Sequence, residues 1–123
     1  MSYIDGFVLP LPSGKEDEYR KMAEMFADKA AKLGAIASVE GLGDGLEHGH
    51  TTDFYRAVQA KEDENVVFSF VIWPDKATRD SAWEKIMADP EMQPGAQEMP
   101  FDGKRMFWGG FKPLVNTMET QDA

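Results

Sequence analysis

The sequence predicts an α+β fold in which two helices cover one face of an antiparallel sheet. Two segments with helical periodicity alternate with short apolar runs that are rich in β-branched and aromatic residues. The most apolar run is 66–73, where Ser69 is the only polar residue and Pro74 follows directly. Because polar residues do not alternate along this run, we expect a central strand that is covered on both faces.

Length and composition indicate a single domain. The chain has 123 residues, of which 42% are apolar and 28% charged, as in globular proteins. We place the domain at residues 1–115 and expect a polar, frayed tail at 116–123. No cysteine is present, which excludes disulfides and thiolate sites. No apolar run approaches the roughly 20 residues of a membrane span and no secretory signal is visible, so we expect a cytoplasmic protein.

The charge balance bears on partners. The formal net charge is −9 and the pI is about 4.6. An acidic chain repels a phosphate backbone, and no cluster of Lys or Arg offsets that repulsion. We therefore expect no nucleic-acid partner and no membrane partner, and we interpret the acidity as favouring solubility.

The first strand is predicted at 3–9, where Pro10 and Pro12 should end it. The next helix should run to Leu33 from a capping box formed by Ser13 and Glu16. Gly34 is placed to terminate it as a left-handed C-cap. The helix is predicted from an apolar stripe with helical spacing, namely Tyr19, Met22, Ala23, Phe26, Ala27, Ala30 and Leu33.

The middle of the chain is predicted as strands and turns. A second strand is expected at 35–40, followed by a glycine-rich turn at 41–45. No Lys-Ser or Lys-Thr pair follows these glycines, so a bend or bulge in the sheet is favoured over a phosphate-binding loop. Segments 54–60 and 66–73 are predicted to form a hairpin around a solvated acidic loop at 61–65.

The second long helix is predicted from an N-cap at Asp75 to about Ala88. Arg79 shares the face of its apolar residues, where it would either pair with an internal carboxylate or hold an anion. A proline-rich loop at 92–101 is typical of a lid or an interface arm. The last strand is predicted at 105–111.

The order of elements is that of a ferredoxin-like split βαβ fold. Two helices can cover only one face of its sheet, yet the first strand and the run at 66–73 are apolar on both faces. The simplest cover for the second face is the same face of another copy. We therefore expect a two-fold homodimer of packed sheets.

A small-molecule site between sheet and helices, or at the dimer seam, is one functional interpretation. Asp44 or Asp53 could act as a general base if desolvated, and Arg79 or Arg105 could hold a carboxylate or enolate. The alternative is that these residues form structural ion pairs and turn caps. The full candidate set is Asp44, Asp53, Arg79, Asp102 and Arg105, with Trp73, Trp83 and Trp108 as apolar walls.

Three further polar residues have two interpretations each. Asp5 could be a bonded strand-end carboxylate, which we favour, or could line a pocket. His48 and His50 could hold a metal in a His-x-His arrangement, but no further His or Cys exists to complete a site. We therefore predict no metal site and no cofactor.

Several motifs are spread along the chain, including Tyr3-Ile4-Asp5-Gly6-Phe7, Thr52-Asp53-Phe54, Pro74-Asp75-Lys76-Ala77-Thr78-Arg79-Asp80 and Pro100-Phe101-Asp102-Gly103-Lys104-Arg105-Met106. Together they resemble one known family, the YbaA-like bacterial proteins of unknown function. The resemblance covers nearly the whole chain and implies a dimeric α+β barrel. Many YbaA-like proteins have Lys in place of His50, so the resemblance does not support a metal site. Its wider superfamily includes cofactor-independent monooxygenases, haem-degrading enzymes and isomerases, whose catalytic residues have no matching motif here.

The sequence and this resemblance together predict a dimeric α+β barrel that binds a small molecule and could catalyse a cofactor-independent reaction. The alternative is a non-catalytic dimeric module with a structural or regulatory role. No triad, Walker loop, dinucleotide fingerprint or zinc signature separates the two.

Overall fold

The computed structural model describes residues 1–93 and 99–119 of the chain. The elements occur in the order β1 (Tyr3–Pro12), α1 (Glu16–Lys32), β2 (Ala37–Leu42), α2 (Phe54–Ala57), β3 (Glu64–Trp73), α3 (Lys76–Ala88) and β4 (Phe107–Phe111). Single 3-10 turns occupy Pro90–Met92 and Gly103–Arg105. The expected lid or arm at 92–101 falls largely on residues outside the described ranges, as does the end of the expected tail.

The four strands form one antiparallel sheet in the order β2-β3-β1-β4. β3 and β1 lie at its centre and pair from Tyr3 opposite Trp73 to Pro12 opposite Glu64. Side chains of α1 and α3 pack against the odd-numbered residues of both strands. The predicted ferredoxin-like α+β fold is confirmed.

The prediction that Pro10 and Pro12 end the first strand was wrong. Both prolines pair with β3, opposite Val66 and Glu64. The N–H of Ser13 donates to the Asp63 carbonyl at 2.8 Å, so hydrogen bonds to β3 fall on odd-numbered residues of this strand. The proline nitrogens therefore face the other edge, where β4 pairs no further than Val8 and no donor is needed.

The start of α1 also differs from the prediction, whereas its end agrees. Glu16 accepts from the N–H of Gly14 at 2.9 Å, and no capping box forms because the Ser13 N–H is already bonded to β3. At the other end Gly34 has a φ of 110°. The N–H of Ala35 donates to the Ala30 carbonyl at 2.9 Å, which completes a left-handed cap.

The predicted hairpin of 54–60 with 66–73 was wrong. Residues Phe54–Ala57 form α2, and β3 pairs with β1 and β2 instead. Asp53 starts the helix because its Oδ1 accepts the N–H of Arg56 at 2.8 Å. Just after α2, Val58 is buried against Val8 and Val66, so this segment covers one end of the sheet face away from α1 and α3.

Apart from the buried Ile72, the rest of that second face is partly or largely exposed in the single chain. We call it the open face, and it carries Ile4, Val39, Phe68, Phe70, Phe107 and Phe111. Val39, Phe68, Phe107 and Phe111 are 45%, 47%, 46% and 61% exposed. The middle of β3 is therefore covered on one face only by its own chain.

The chain ends are joined near the N-terminus of β1. The Asn116 side-chain amide donates to the Ser2 hydroxyl at 2.8 Å, and the Ser2 N–H donates to Glu119 Oε1 at 2.5 Å. Residues 116–119 are thus tied to the body of the protein rather than frayed. Across the described ranges, none of the helices has both the length and the apolar character that a membrane crossing requires.

Candidate functional site

A groove lies between α1 and the edge strand β2, on the helix-covered side of the sheet. Its cavity volume is about 360 Å³. The space exists because Ala23 and Ala27, one turn apart on α1, present only methyl groups to the strand. We call it the α1–β2 groove. Its apolar walls are Leu11, Tyr19, Ala23, Ala27, Leu42 and Val67, and its polar side chains are Glu16, Arg20, Glu24, Ser38 and Glu40.

Tyr19 and Glu40 form the central polar contact of the groove. The buried Tyr19 hydroxyl donates to Glu40 Oε1 at 2.5 Å. Glu40 projects toward α1 because it alternates with Val39, and it lies opposite the buried Ser69 in the sheet. The alternation of side chains along β2 is enough to place the Glu40 carboxylate beside the apolar wall of the groove. No sequence motif identifies this position.

The environment changes how both groups ionise. Burial raises the pKa of Glu40, although the hydrogen bonds from Tyr19 and Ser69 act in the opposite direction. Much of the Glu40 residue remains open to solvent at the mouth of the groove. The rise in its pKa therefore comes from the part of the carboxylate that packs against Tyr19. Burial, and then the bond to Glu40, raise the pKa of the Tyr19 phenol. Glu40 therefore binds a proton more readily than an ordinary glutamate does.

Three predicted site residues meet around Asp5 instead. Trp73 Nε1 and Trp83 Nε1 donate to Asp5 Oδ2 at 2.9 and 2.8 Å. Arg79 donates through NH2 to Oδ1 at 2.7 Å, and its guanidinium also bonds Asp80 at 3.0 Å. The Asp5 hydrogen bond contributes most to raising the pKa of Arg79. The cluster joins α3 to β1, which matches the structural interpretation of Arg79.

Arg105 and Asp102 lie in a second ion-pair network. Arg105 binds Glu64 in a bidentate contact of 2.6 and 2.7 Å and donates to Asp102 at 3.0 Å. The Glu64 side chain is only 4% exposed, so the prediction of a solvated acidic loop was wrong at this residue. Glu64 is the first residue of β3 and faces Arg105, which lowers the pKa of the glutamate.

Asp53 and Asp44 are not brought together by the described contacts. Asp53 caps α2, accepts the Gly49 N–H at 3.2 Å and lies 3.3 Å from Arg56 Nε. The N–H of Arg56 is the main reason that the pKa of Asp53 is lowered. Asp44 is exposed in the loop after β2. A carboxylate with a lowered pKa is a weak proton acceptor, which disfavours Asp53 as a general base.

The last aromatic and histidine candidates lie apart from the groove. Trp108 is 64% exposed on β4, opposite Phe7. His48 stacks on Tyr55 at 4.9 Å between ring centroids and lies 3.6 Å from Asp53. In residues 1–93 and 99–119, no group of three or more His, Asp or Glu side chains could hold a metal ion.

A second hollow, of about 590 Å³, lies beside His48 and Tyr55. Its wall is formed mainly by exposed polar residues, including Lys61 and Glu62. Binding sites for small molecules are predominantly apolar with a few convergent polar groups. The α1–β2 groove fits that description, and we regard it as the candidate site even though its volume is smaller.

Sequence reasoning missed both central residues of the groove. Tyr19 was assigned to the apolar stripe of the helix, and Glu40 to the end of a strand. The available signal was the alternation of Ser38, Glu40 and Leu42 in a strand whose other face is apolar. The sequence does not show that this strand lies at an edge, where polar side chains can reach solvent beneath a helix.

Comparison with known proteins places the chain in a family. A family described as "Protein of unknown function (DUF1428)" matches residues 2–103. The uncharacterized protein YbaA of Escherichia coli K12 is 45% identical over 116 residues, which cover 94% of this chain and 99% of YbaA. YbaA of Shigella flexneri matches with the same identity and coverage.

Two solved structures show the same fold at low sequence identity. A dimeric ferredoxin-like protein from an uncultured marine organism has a TM-score of 0.55 and 11% identity, covering 98% of this chain and 100% of its own. SnoaB of Streptomyces nogalater, a cofactor-independent oxygenase, has a TM-score of 0.52 and 14% identity, covering 97% and 100%. The family match and the relatives that share almost half of their residues with it place this chain in the DUF1428 family of proteins of unknown function.

Proposed function

We propose that this protein is a homodimer that binds a small, largely apolar molecule in the α1–β2 groove. The groove itself supports the proposal, because apolar walls surround the Tyr19–Glu40 pair in a space of about 360 Å³. Such a space suits a small molecule, with the pair fixing its orientation. Arg79 and Arg105 then have structural roles, because their donors are bonded to Asp5 and Glu64.

The open face supports the dimer. The side chains of Phe68, Phe107 and Phe111 are exposed on one side of the sheet, and large apolar residues grouped on one face mark an interaction site. A two-fold pair of sheets would bury these rings against their own copies. The structural neighbour described as a dimeric ferredoxin-like protein is consistent with this arrangement. The groove lies on the opposite side of the sheet and would remain accessible in the dimer.

Proton transfer is a second candidate function for the same site. Glu40 has a raised pKa and lies beside a phenol, so it could accept a proton from a bound molecule as a general base. Chemistry of this type needs one positioned base and no cofactor. SnoaB shows that the fold can support cofactor-independent oxygenation, although the fold alone does not determine the reaction.

A groove-filling variant tests the binding proposal. Small molecules that bind would first be identified from a fragment library by changes in the amide NMR spectrum. Ala27→Leu places a larger side chain in the groove with little loss of helix propensity, so it should abolish binding. Ala31→Leu is the matched control, because Ala31 is exposed on the same helix. Hits that bind the two variants equally, or a library without hits at Tyr19 and Ser38, would overturn the proposal and favour a non-catalytic module.

A further inference from the structure

We propose that the ligand of the α1–β2 groove is a cationic amine with an apolar body, whose ammonium group binds the carboxylate of Glu40. This inference rests on the proposed function and specifies the class of molecule that binds. In this binding mode the apolar part of the ligand would pack against Ala23, Ala27 and Val67, which line the groove. The charged end would lie beside Tyr19 and Glu40, where the groove opens to solvent.

The charge of the groove supports this choice. Three carboxylates, those of Glu16, Glu24 and Glu40, line it against one guanidinium, that of Arg20. The charge of Arg20 is shared with Asp17, whose Oδ1 lies 3.4 Å from Arg20 NH1 in an exposed ion pair. The local potential is therefore negative, in keeping with the net charge of −9 for the whole chain. A negatively charged ligand would be repelled both by the groove and by the protein as a whole.

Glu40 lacks a cationic partner among the residues that the structure describes. Its contacts are the hydroxyls of Tyr19 and Ser69, which are neutral donors. The carboxylates of the two ion-pair networks and of the α2 cap each face a guanidinium instead: Asp5 binds Arg79, Glu64 binds Arg105, and Asp53 lies beside Arg56. Glu40 is thus a partly buried carboxylate at the mouth of the groove, and no Lys or Arg in residues 1–93 and 99–119 pairs with it.

An ammonium group supplies what this carboxylate lacks. It carries three N–H donors and one positive charge, and a carboxylate can accept about four hydrogen bonds. The Tyr19 hydroxyl occupies one acceptor site on Oε1, which leaves room for an incoming donor. A hydrogen bond with an ionised donor or acceptor is about twice as strong as one between neutral groups. An ammonium group adds the attraction between two opposite charges, which a neutral alcohol cannot supply. The same contact cannot form with a carboxylate ligand.

Three probes with the same phenyl body test the inference. They are 2-phenylethylamine, 2-phenylethanol and phenylacetate, titrated into the full-length labelled protein at neutral pH and followed by amide NMR. We expect the amine to shift groove amides at Tyr19, Ser38 and Glu40 with the lowest Kd, the alcohol to bind more weakly, and phenylacetate to bind most weakly. Raising the salt concentration should weaken binding of the amine and leave the alcohol unchanged.

Glu40→Gln isolates the contribution of the charge. Glutamine still accepts a hydrogen bond from Tyr19, so the groove should keep its shape. We expect amine affinity to fall about tenfold, in line with the loss of one hydrogen bond between charged groups, while alcohol affinity falls by less because the alcohol carries no charge. Glu84→Gln on α3 is the matched control, because it removes the same charge from an exposed position far along the chain.

The outcomes separate the two proposals. If phenylacetate or the alcohol shifts the groove amides with a lower Kd than the amine, the cationic preference is wrong and the groove remains a binding site. An unchanged amine affinity in Glu40→Gln would also overturn the inference. If none of the three probes shifts groove amides, while Ala27→Leu and Ala31→Leu behave alike in the fragment screen, both proposals are overturned.

Discussion

Asp5 is a buried carboxylate whose hydrogen-bond donors come from three side chains. Its side chain is 3% exposed, and Trp73, Trp83 and Arg79 all donate to it. Arg79 supplies the compensating charge from α3. The sequence analysis singled out both Asp5 and Arg79. It could not pair them, because they are 74 positions apart in the chain and meet only in the folded protein.

Removing the charge of Arg79 should destabilise the protein strongly. Arg79→Ala leaves Asp5 buried and unpaired, so we expect the free energy of unfolding to fall by about 3 kcal/mol, near the lower limit for a buried pair because Arg79 is 23% exposed. Arg20→Ala is the control, since its ion pair is exposed and should contribute about 0–1 kcal/mol. Urea denaturation measures both variants. Equal effects would contradict a structural role for Arg79.

Glu40 and Glu64 should have opposite effects on the pH dependence of stability. The pKa of Glu64 is lowered by Arg105, so its contribution is present above the ordinary value of 4.5 and is lost as pH falls through the folded-state pKa. The pKa of Glu40 is raised, so its contribution is present below 4.5 and is lost as pH rises through the folded-state pKa.

Glutamine variants measure the two contributions separately. Relative to Glu64→Gln, the unsubstituted protein should gain stability as pH rises from the acid range to pH 7. Relative to Glu40→Gln, it should lose stability over the same interval. Urea unfolding at several pH values gives both differences. Slopes of the same sign in the two comparisons would show that one of these environments is described incorrectly.

At the scale of elements, the helices that were predicted correctly are long and have recognisable residues at their ends. The long helices α1 and α3 were predicted because apolar periodicity, Gly34 and the Asp75 cap agree with one another. α2 was missed because four residues carry no periodicity, although Asp53 is a recognisable cap. Pro10 was wrongly predicted to end β1. A proline is tolerated within a strand when its nitrogen faces an edge without a partner, and the sequence does not show which edge that is. The groove was missed for a similar reason, since it depends on the position of β2 in the sheet.

Asp53 should act on α2 and not on ligand binding. Asp53→Ala removes the side-chain acceptor for the N–H groups of Arg56 and Gly49, so we expect the melting temperature to fall while binding in the α1–β2 groove is kept. Asp44→Ala provides the comparison, because Asp44 is exposed in the same loop region and should change neither property. Loss of binding in a folded Asp53→Ala protein would instead support the prediction that Asp53 belongs to the ligand site.

At the scale of the whole molecule, the sheet has two unlike faces. One is covered by α1 and α3 and contains the groove, while the open face carries exposed phenylalanines. The sequence predicted this asymmetry, since two helices cannot cover both sides of a sheet whose strands are apolar on both faces. The sequence could not identify which phenylalanine rings would be exposed on the open face, because their positions depend on how β3 pairs with β1 and β2.

Phe68 is the residue best suited to test the dimer. It lies on central strand β3 and is 47% exposed, so Phe68→Asp should be tolerated by the single chain but place a buried charge at a two-fold interface. We expect this variant to be a folded monomer by light scattering and circular dichroism, whereas the unsubstituted protein is a dimer. Met87→Asp is the control, because Met87 is 70% exposed on α3 and lies away from the open face. If the unsubstituted protein is monomeric, or if Phe68→Asp remains dimeric, the open face does not join the two copies and its apolar surface must serve another partner.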